Sequence, residues 1–135
     1  EERYPAPALW PRDPLRKAQA WMLVEIVNAG IQPLQNLMVT NKVKEMGGDG
    51  SAFAKHFNER GLEALEAWAR PLAGKFLLGD EVTVADVYLP PQLYSARRLG
   101  VDLSPFPTLT RVEKACEAID AFARARPERQ PDTEA

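Results

Sequence analysis

Apolar side chains recur every three or four residues along most of this chain, which is the period of an α-helix with one buried face. Asp13 followed by Pro14 marks a helix start, because aspartate caps the first amides and proline needs no hydrogen bond there. The helical pattern runs towards Gly30, resumes after Pro33 and stops at the glycine cluster of residues 47–50. The first stripe predicted to be buried is Leu15, Ala18, Met22 and Ile26.

The same period continues through the second half of the chain. Thr83 and Asp86 have the form of a capping box, with aspartate in place of the usual glutamate or glutamine. Pro90 and Pro91 lie inside the helix that follows, so we expect a kink, because an interior proline costs roughly 3 kcal/mol unless packing accommodates a bend. The stripes predicted for the flanking helices are Phe53, Phe57, Gly61, Leu65, Trp68 and Leu72, and then Leu109, Val112, Cys116, Ile119 and Phe122.

No stretch alternates apolar and polar residues as a strand does, so the chain is predicted to be all-α. The bundle should contain about five helices within residues 13–126. Residues 1–12 are rich in proline and have the composition of an interdomain linker, so we expect a further segment upstream of them. Residues 127–135 form a polar tail that we expect to be partly mobile.

Composition narrows the function classes. The 135 residues suit one domain, with 45% hydrophobic and 27% charged residues. A net charge of −2 does not indicate the basic surface with which proteins bind nucleic acid or an anionic membrane. No apolar run reaches the ~18 residues of a membrane-spanning helix. The single cysteine excludes an intrachain disulfide and favours a reducing, cytoplasmic location.

Three amide side chains stand together where the first helical pattern breaks. Gln32, Gln35 and Asn36 are spaced i, i+3 and i+4, so in a helix they share one face. Amides form hydrogen bonds without titrating near pH 7, which suits holding a peptide-like or carboxylate-bearing ligand. The structural alternative is an amide-capped helix kink at Pro33, because proline removes a backbone donor. The segment alone leaves both interpretations open.

Most other candidates favour structural roles. Cys116 lies on an apolar stripe with no basic residue placed to form a thiolate, so we expect it to be buried and unreactive. His56 is the one histidine. It cannot anchor a zinc site of the usual form, so we predict no metal and place it on the surface of its helix. Solvated acids are expected at Glu63, Glu66, Asp80 and Glu81.

Arg97 and Arg98 end the proline-containing helix, where the helix dipole favours cations. An arginine directed into a cleft would instead hold a substrate carboxylate through two parallel hydrogen bonds. Spacing alone does not choose between these roles.

Five segments of the chain carry a family resemblance: QPLQN at residues 32–36, TVAD at 83–86, PQ at 91–92, VDLSP at 101–105 and RQPDT at 129–133. In the same order, they resemble segments of the maleylacetoacetate isomerases, the zeta class of glutathione transferases. The capping box alone marks almost any glutathione transferase, whereas the whole set is specific. The resemblance is to the helical C-terminal domain, which implies that the N-terminal thioredoxin-like domain is not in this chain.

The resemblance implies a glutathione site and a substrate site. Gln35 and Asn36 would line the glutathione site with Gln32 close by, and Arg98 would hold a substrate carboxylate. Thiolate-activating residues would belong to the thioredoxin-like domain, so no catalytic residue is assigned to this chain. The implied reaction converts maleylacetoacetate to fumarylacetoacetate in tyrosine and phenylalanine breakdown, by reversible addition of the glutathione thiolate to the cis double bond.

Alternatives remain within and outside that class. Pro90 and Arg97 depart from the isomerase pattern, and the SARR segment at residues 95–98 also resembles maleylpyruvate isomerases. A full-length member is expected to be a homodimer, and this chain by itself is expected to be inactive. A non-catalytic helical module for dimerisation or partner binding is the other class of function. Gln35, Asn36 and Arg98 together favour the enzyme.

Overall fold

A computed structural model describes residues 1–133, and within them the chain is helical with only isolated β-bridges. The elements are α1 (Pro14–Asn28), α2 (Gln32–Gln35), α3 (Leu37–Glu45), α4 (Gly50–Ala69), α5 (Val84–Arg98), α6 (Pro107–Glu117), α7 (Asp120–Arg124) and a 3₁₀ turn (Pro127–Arg129). The predicted all-α class is confirmed. The five expected helices become seven because two predicted regions divide.

The first division lies at the amide-rich segment. A Cβ atom at Gly30 would lie 2.5 Å from the Ile26 carbonyl oxygen, so the close turn that ends α1 requires glycine. Pro33 falls in the first turn of α2, where its missing N–H costs nothing. The kink expected at Pro33 is therefore a complete break before a one-turn helix, and the extended backbone of Asn36 divides that turn from α3. The second division lies at Ile119, whose extended backbone separates α6 from α7.

The long helix α4 lies at the centre of the bundle and contacts α1, α2, α3, α5 and α6. Two predicted stripes were only partly right, because apolar residues on several faces of α1 and α4 allow more than one row at helical spacing. Trp68 is 55% exposed and Leu15 is 68% exposed. Of the predicted residues, Leu65 is buried. The buried rows are Ala20, Leu23, Val24 and Val27 on α1, and Ala54, Asn58, Leu62, Leu65 and Ala69 on α4. Leu109, Val112 and Cys116 of α6 are buried as predicted.

Gly61 allows α4 to approach the break between α1 and α2. A Cβ atom at this position would lie 2.2 Å from Cγ1 of Ile31, which is itself fully buried. Any larger residue than glycine at this position would prevent the close approach. This contact fixes the position of α2, which begins one residue after Ile31.

The capping box at the start of α5 is confirmed, and Asp86 does more than cap. Its Oδ2 accepts hydrogen bonds from the Thr83 N–H at 2.8 Å and the Thr83 hydroxyl at 3.0 Å. Its Oδ1 accepts from the Leu77 N–H at 2.8 Å, which ties the loop after α4 to α5. Burial raises the pKa of Asp86, and the bonds from Leu77 and Thr83 oppose that shift.

The prolines expected to kink α5 lie inside one uninterrupted helix. Pro90 and Pro91 donate no N–H to the carbonyls four residues earlier, so packing compensates for two missing helix bonds. Leu89, Gln92 and Leu93 around them are completely buried. The pair is therefore accommodated without ending the helix.

The expectation that Glu66 is a solvated acid was wrong. Glu66 is buried on α4, and its carboxylate accepts hydrogen bonds from the Thr108 and Leu109 amides at 3.2 and 3.1 Å. These are the first free amides after Pro107 at the start of α6. The N-terminus of a helix favours a negative charge, so Glu66 caps α6 from another helix.

The terminal segments contact the bundle. Trp10 packs on Trp21 of α1 with ring centroids 4.6 Å apart, and the Leu9 carbonyl accepts from the Val84 N–H at 3.0 Å. The polar tail predicted at residues 127–135 includes the 3₁₀ turn, and residues 134 and 135 lie outside the described part. The linker and tail boundaries stay predictions.

We expect Asp86→Asn to lower the free energy of unfolding by about 2–4 kcal/mol, because an amide cannot accept from both the Leu77 and Thr83 amides. Urea unfolding followed by circular dichroism measures the change. Asp120→Asn is the matched control, since the Asp120 side chain is 81% exposed. It should shift stability by less than about 0.5 kcal/mol. Equal shifts in the two variants would contradict the role of Asp86.

Candidate functional site

The four side chains that the sequence assigns to ligand binding line one open groove. It lies where α2 meets the end of α5 and encloses about 380 Å³. Among the lining residues, all within the described part of the chain, Arg98 alone is charged. The groove is therefore polar and electropositive. Its lining residues are Gln32, Gln35, Asn36, Leu37, Ser95, Arg98 and Leu99.

Behind the groove the two glutamines join a buried amide network. Gln92 on α5 and Asn58 on α4 are completely buried. Gln92 Oε1 accepts from Gln32 Nε2 at 2.7 Å, and Gln92 Nε2 donates to Asn58 Oδ1 at 2.5 Å. Asn58 Nδ2 donates to Gln35 Oε1 and to the Ala54 carbonyl oxygen, each at 2.9 Å. Because buried polar groups need partners, this network holds α2 against α4 and α5.

Asn36 has a structural task at the same groove. Its Oδ1 accepts a hydrogen bond from the Met38 N–H at 2.9 Å and so caps α3. Capping and ligand binding were alternatives in the sequence, but a cap uses only the oxygen of the amide. The Nδ2 group stays available for a ligand.

The adjacent arginines have different environments. Arg97 Nη1 donates to Glu113 Oε1 at 2.7 Å, and Nη2 donates to Glu113 Oε2. The Glu113 side chain is only 7% exposed, and its hydrogen bonds raise the pKa of Arg97. Arg97 lines a second cavity of about 260 Å³ between α5 and the C-terminal segment, which includes none of the four predicted binding residues.

Arg98 forms no side-chain hydrogen bond or ion pair with any residue between 1 and 133, and it lines the groove. The sequence left a structural role and a ligand-binding role open for both arginines. The structure gives Arg97 the structural role. The role of Arg98 in holding a carboxylate stays a prediction.

The other predicted candidates lie outside the groove. Cys116 is completely buried as expected, and desolvation, with Asp86, Glu113 and Glu117 nearby, raises its pKa to about 12. His56 is exposed on α4, as predicted. Within residues 1–133, no three His, Cys, Asp or Glu side chains are grouped to hold a metal ion. No helix of that part has the length and apolar character needed to cross a membrane.

Comparison with known proteins places this chain in a family. Residues 53–120 match the family described as glutathione S-transferase, C-terminal domain. The crystal structure of maleylacetoacetate isomerase from Anaeromyxobacter dehalogenans 2CP-1, with bound GSH in the active site, superposes with a TM-score of 0.96. It is 49% identical, over 99% of this chain and 62% of that chain. A holo structure of maleylpyruvate isomerase, a bacterial glutathione S-transferase of the zeta class, superposes with a TM-score of 0.94 and is 39% identical. The match covers 99% of this chain and 66% of that chain. The chain belongs to the zeta class of glutathione transferases.

Sequence relatives agree with this membership of the zeta class. A probable maleylacetoacetate isomerase of Caenorhabditis elegans is 45% identical over 134 residues. That match covers 98% of this chain and 63% of the relative. The chain thus spans less than two thirds of such zeta-class relatives, and its helices correspond to their C-terminal domain. The predicted family and bundle type are confirmed.

Sequence reasoning missed Asn58 and Glu113, and it gave Gln92 no role beyond its place in a family segment. A signal for Asn58 was present, because it lies between Ala54 and Leu62 in an i+4 row of otherwise apolar residues. A polar side chain in such a row must find a buried partner. Asn58 was overlooked because the stripe predicted on α4 contains Phe57, one residue before Asn58, in place of it.

Native Cys116 should resist alkylation. With a pKa of about 12 and no exposed surface, only roughly one thiol in 10⁴ would be ionised at pH 8. A thiol reagent at pH 8, followed by mass spectrometry, should label the folded chain slowly and the urea-unfolded chain completely. Fast stoichiometric labelling of the folded chain would show that the site opens.

Proposed function

We propose that this chain is the substrate-side domain of a glutathione-dependent cis–trans isomerase that acts on maleylacetoacetate. The observation that carries the proposal is the groove, in which three amides and the guanidinium of Arg98 meet at α2 and the end of α5. Bound GSH in the similar Anaeromyxobacter dehalogenans structure supports glutathione as the cofactor. A scaffold that only binds a partner has no need for this combination of groups.

The donor set of the groove fits a peptide thiol and an anionic substrate. Gln35 and Asn36 would bind glutathione through their amides, with Gln32 beside them. Arg98 would bind a substrate carboxylate through two parallel N–H···O bonds and fix the orientation of the maleyl group. When bound, glutathione supplies a thiolate that adds to the cis double bond and leaves again after rotation about the resulting single bond.

The complete protein is proposed to include an N-terminal thioredoxin-like domain, which supplies the donors that stabilise the thiolate. A cytoplasmic homodimer is the proposed form of that protein. A reducing compartment suits both a free thiol cofactor and a chain with one buried cysteine. Light scattering on the complete protein would test the dimer, and reading upstream in its gene would test the first domain.

Maleylpyruvate is the alternative substrate. Ser95 and Arg98, the ends of the SARR segment that resembles maleylpyruvate isomerases, both line the groove. The similar bacterial maleylpyruvate isomerase structure supports this possibility. Assaying the complete protein with both maleyl compounds decides between them by the ratio of the two kcat/KM values.

We expect Arg98→Ala in the complete protein to raise KM for the maleyl substrate about tenfold or more, because a charge-assisted carboxylate contact is lost. The melting temperature should stay within about 2 °C of the wild-type value, since Arg98 is exposed and has no partner among residues 1–133. Steady-state kinetics and thermal unfolding measure the two quantities.

Arg97→Ala is the matched control and should behave in the opposite way. Removing Arg97 leaves the buried Glu113 carboxylate without its partner, so stability should fall by roughly 1–3 kcal/mol. KM should change less than about threefold, because Arg97 is not in the groove. Equal effects of the two variants on KM would end the assignment of Arg98.

The 135-residue chain alone should show little isomerase activity, because its groove offers amides and a cation but no thiolate-stabilising site is assigned to it. The measurement compares its turnover of maleylacetoacetate and glutathione with that of the complete protein at equal concentration. Comparable rates would contradict the division of the site between two domains.

A further inference from the structure

We infer that one backbone carbonyl, Ala54 O, sets the hydrogen-bond polarity of the groove, so that Gln32 presents an acceptor and Gln35 presents a donor to the ligand. The inference rests on the proposed glutathione site and specifies how that site recognises its ligand. Asn58 and Gln92 are positioning residues in this scheme, because they lie buried behind the groove and act through the two glutamines.

The polarity follows from the fact that a backbone carbonyl only accepts. The Asn58 atom 2.9 Å from Ala54 O must therefore be the amide nitrogen, which makes the other terminal atom of Asn58 an oxygen. That oxygen accepts from Gln92, so the Gln92 atom 2.5 Å away is a nitrogen. Each hydrogen bond thus fixes which terminal atom of the next amide is nitrogen and which is oxygen.

The same logic reaches the groove by two branches. Gln92 Oε1 accepts from Gln32 Nε2 at 2.7 Å, which leaves Gln32 Oε1 as the group without a partner among residues 1–133. Asn58 Nδ2 donates to Gln35 Oε1 at 2.9 Å, which leaves Gln35 Nε2 with only a long 3.4 Å contact to Gln92 Oε1. Gln32 thus offers an acceptor and Gln35 a donor.

Neighbouring groups extend this pattern. The cap of α3 engages Asn36 Oδ1, whereas the Asn36 NH₂ group has no partner among residues 1–133 and is a donor for the ligand. Arg98 is a donor without acceptor capacity. The wall formed by Gln35, Asn36 and Arg98 therefore matches carboxylate and carbonyl oxygens, whereas Gln32 matches a peptide N–H or an ammonium group. A peptide with free carboxylates has both kinds of group.

Side-chain amide exchange tests the polarity without any ligand. In the ¹⁵N-labelled chain, the Gln32 NH₂ protons should exchange about tenfold more slowly than those of Asn41, an exposed amide on α3, because they are bonded to buried Gln92. The Gln35 NH₂ protons should exchange faster than those of Gln32. Gln92→Met should remove the protection of Gln32. Protection of Gln35 with free exchange of Gln32 would overturn the inference.

The same kind of substitution at two positions tests recognition in the complete protein. Gln35→Glu replaces a donor with a carboxylate and should weaken glutathione binding about tenfold or more in calorimetry. Asn41→Asp makes the same amide-to-carboxylate change at an exposed residue outside the groove and should change the Kd less than about threefold. Equal losses in the two variants, or no loss at Gln35, would overturn the inference. A wild-type protein that binds no glutathione would instead refute the proposed function, while amide exchange would still decide the polarity.

Discussion

The structure depends on one constraint: an amide group that is buried away from water must have a hydrogen-bond partner. Asn58 and Gln92 lie in the core on two helices, where an unpaired amide would cost about 1–3 kcal/mol. Their hydrogen bonds can be completed only if α2 brings Gln32 and Gln35 onto them. The break at Gly30 and the close approach at Gly61 make that placement possible. The hydrogen bonds that the buried amides require thereby place Gln32 and Gln35 in one wall of the groove.

Helical geometry explains why two adjacent residues at the end of α5 have different surroundings. Successive side chains on a helix point about 100° apart, so Arg97 and Arg98 cannot face the same surroundings. Glu113 on α6 binds Arg97 and holds the end of α5 in one rotation. Arg98 is then carried to the groove on the other side. Two neighbouring arginines thus have separate tasks, one in an ion pair between helices and one in the lining of the groove.

The class of fold, the helix starts and the capping box could be predicted because they depend on local sequence. The start at Asp13 and the box of Thr83 and Asp86 are formed as expected. The choice of buried face on α1 and α4 could not be predicted, because their apolar residues allow two adjacent rows and only the neighbouring helices select one. The groove residues were found through the family resemblance. Asn58, Gln92 and Glu113 were not, because their tasks depend on partners 16 to 60 residues away.

The composition of the groove also limits what this chain contributes to chemistry. Its amides do not titrate, and its one charged side chain, Arg98, offers N–H donors and no acceptor. Such a wall has the groups to bind and orient a ligand, but none that exchanges a proton with it. In the proposed isomerase, the pH dependence of turnover must then arise from the thiol and from the groups that stabilise it in the other domain. The helical wall should affect which ligand binds and in what orientation, and leave the apparent pKa of the reaction unchanged.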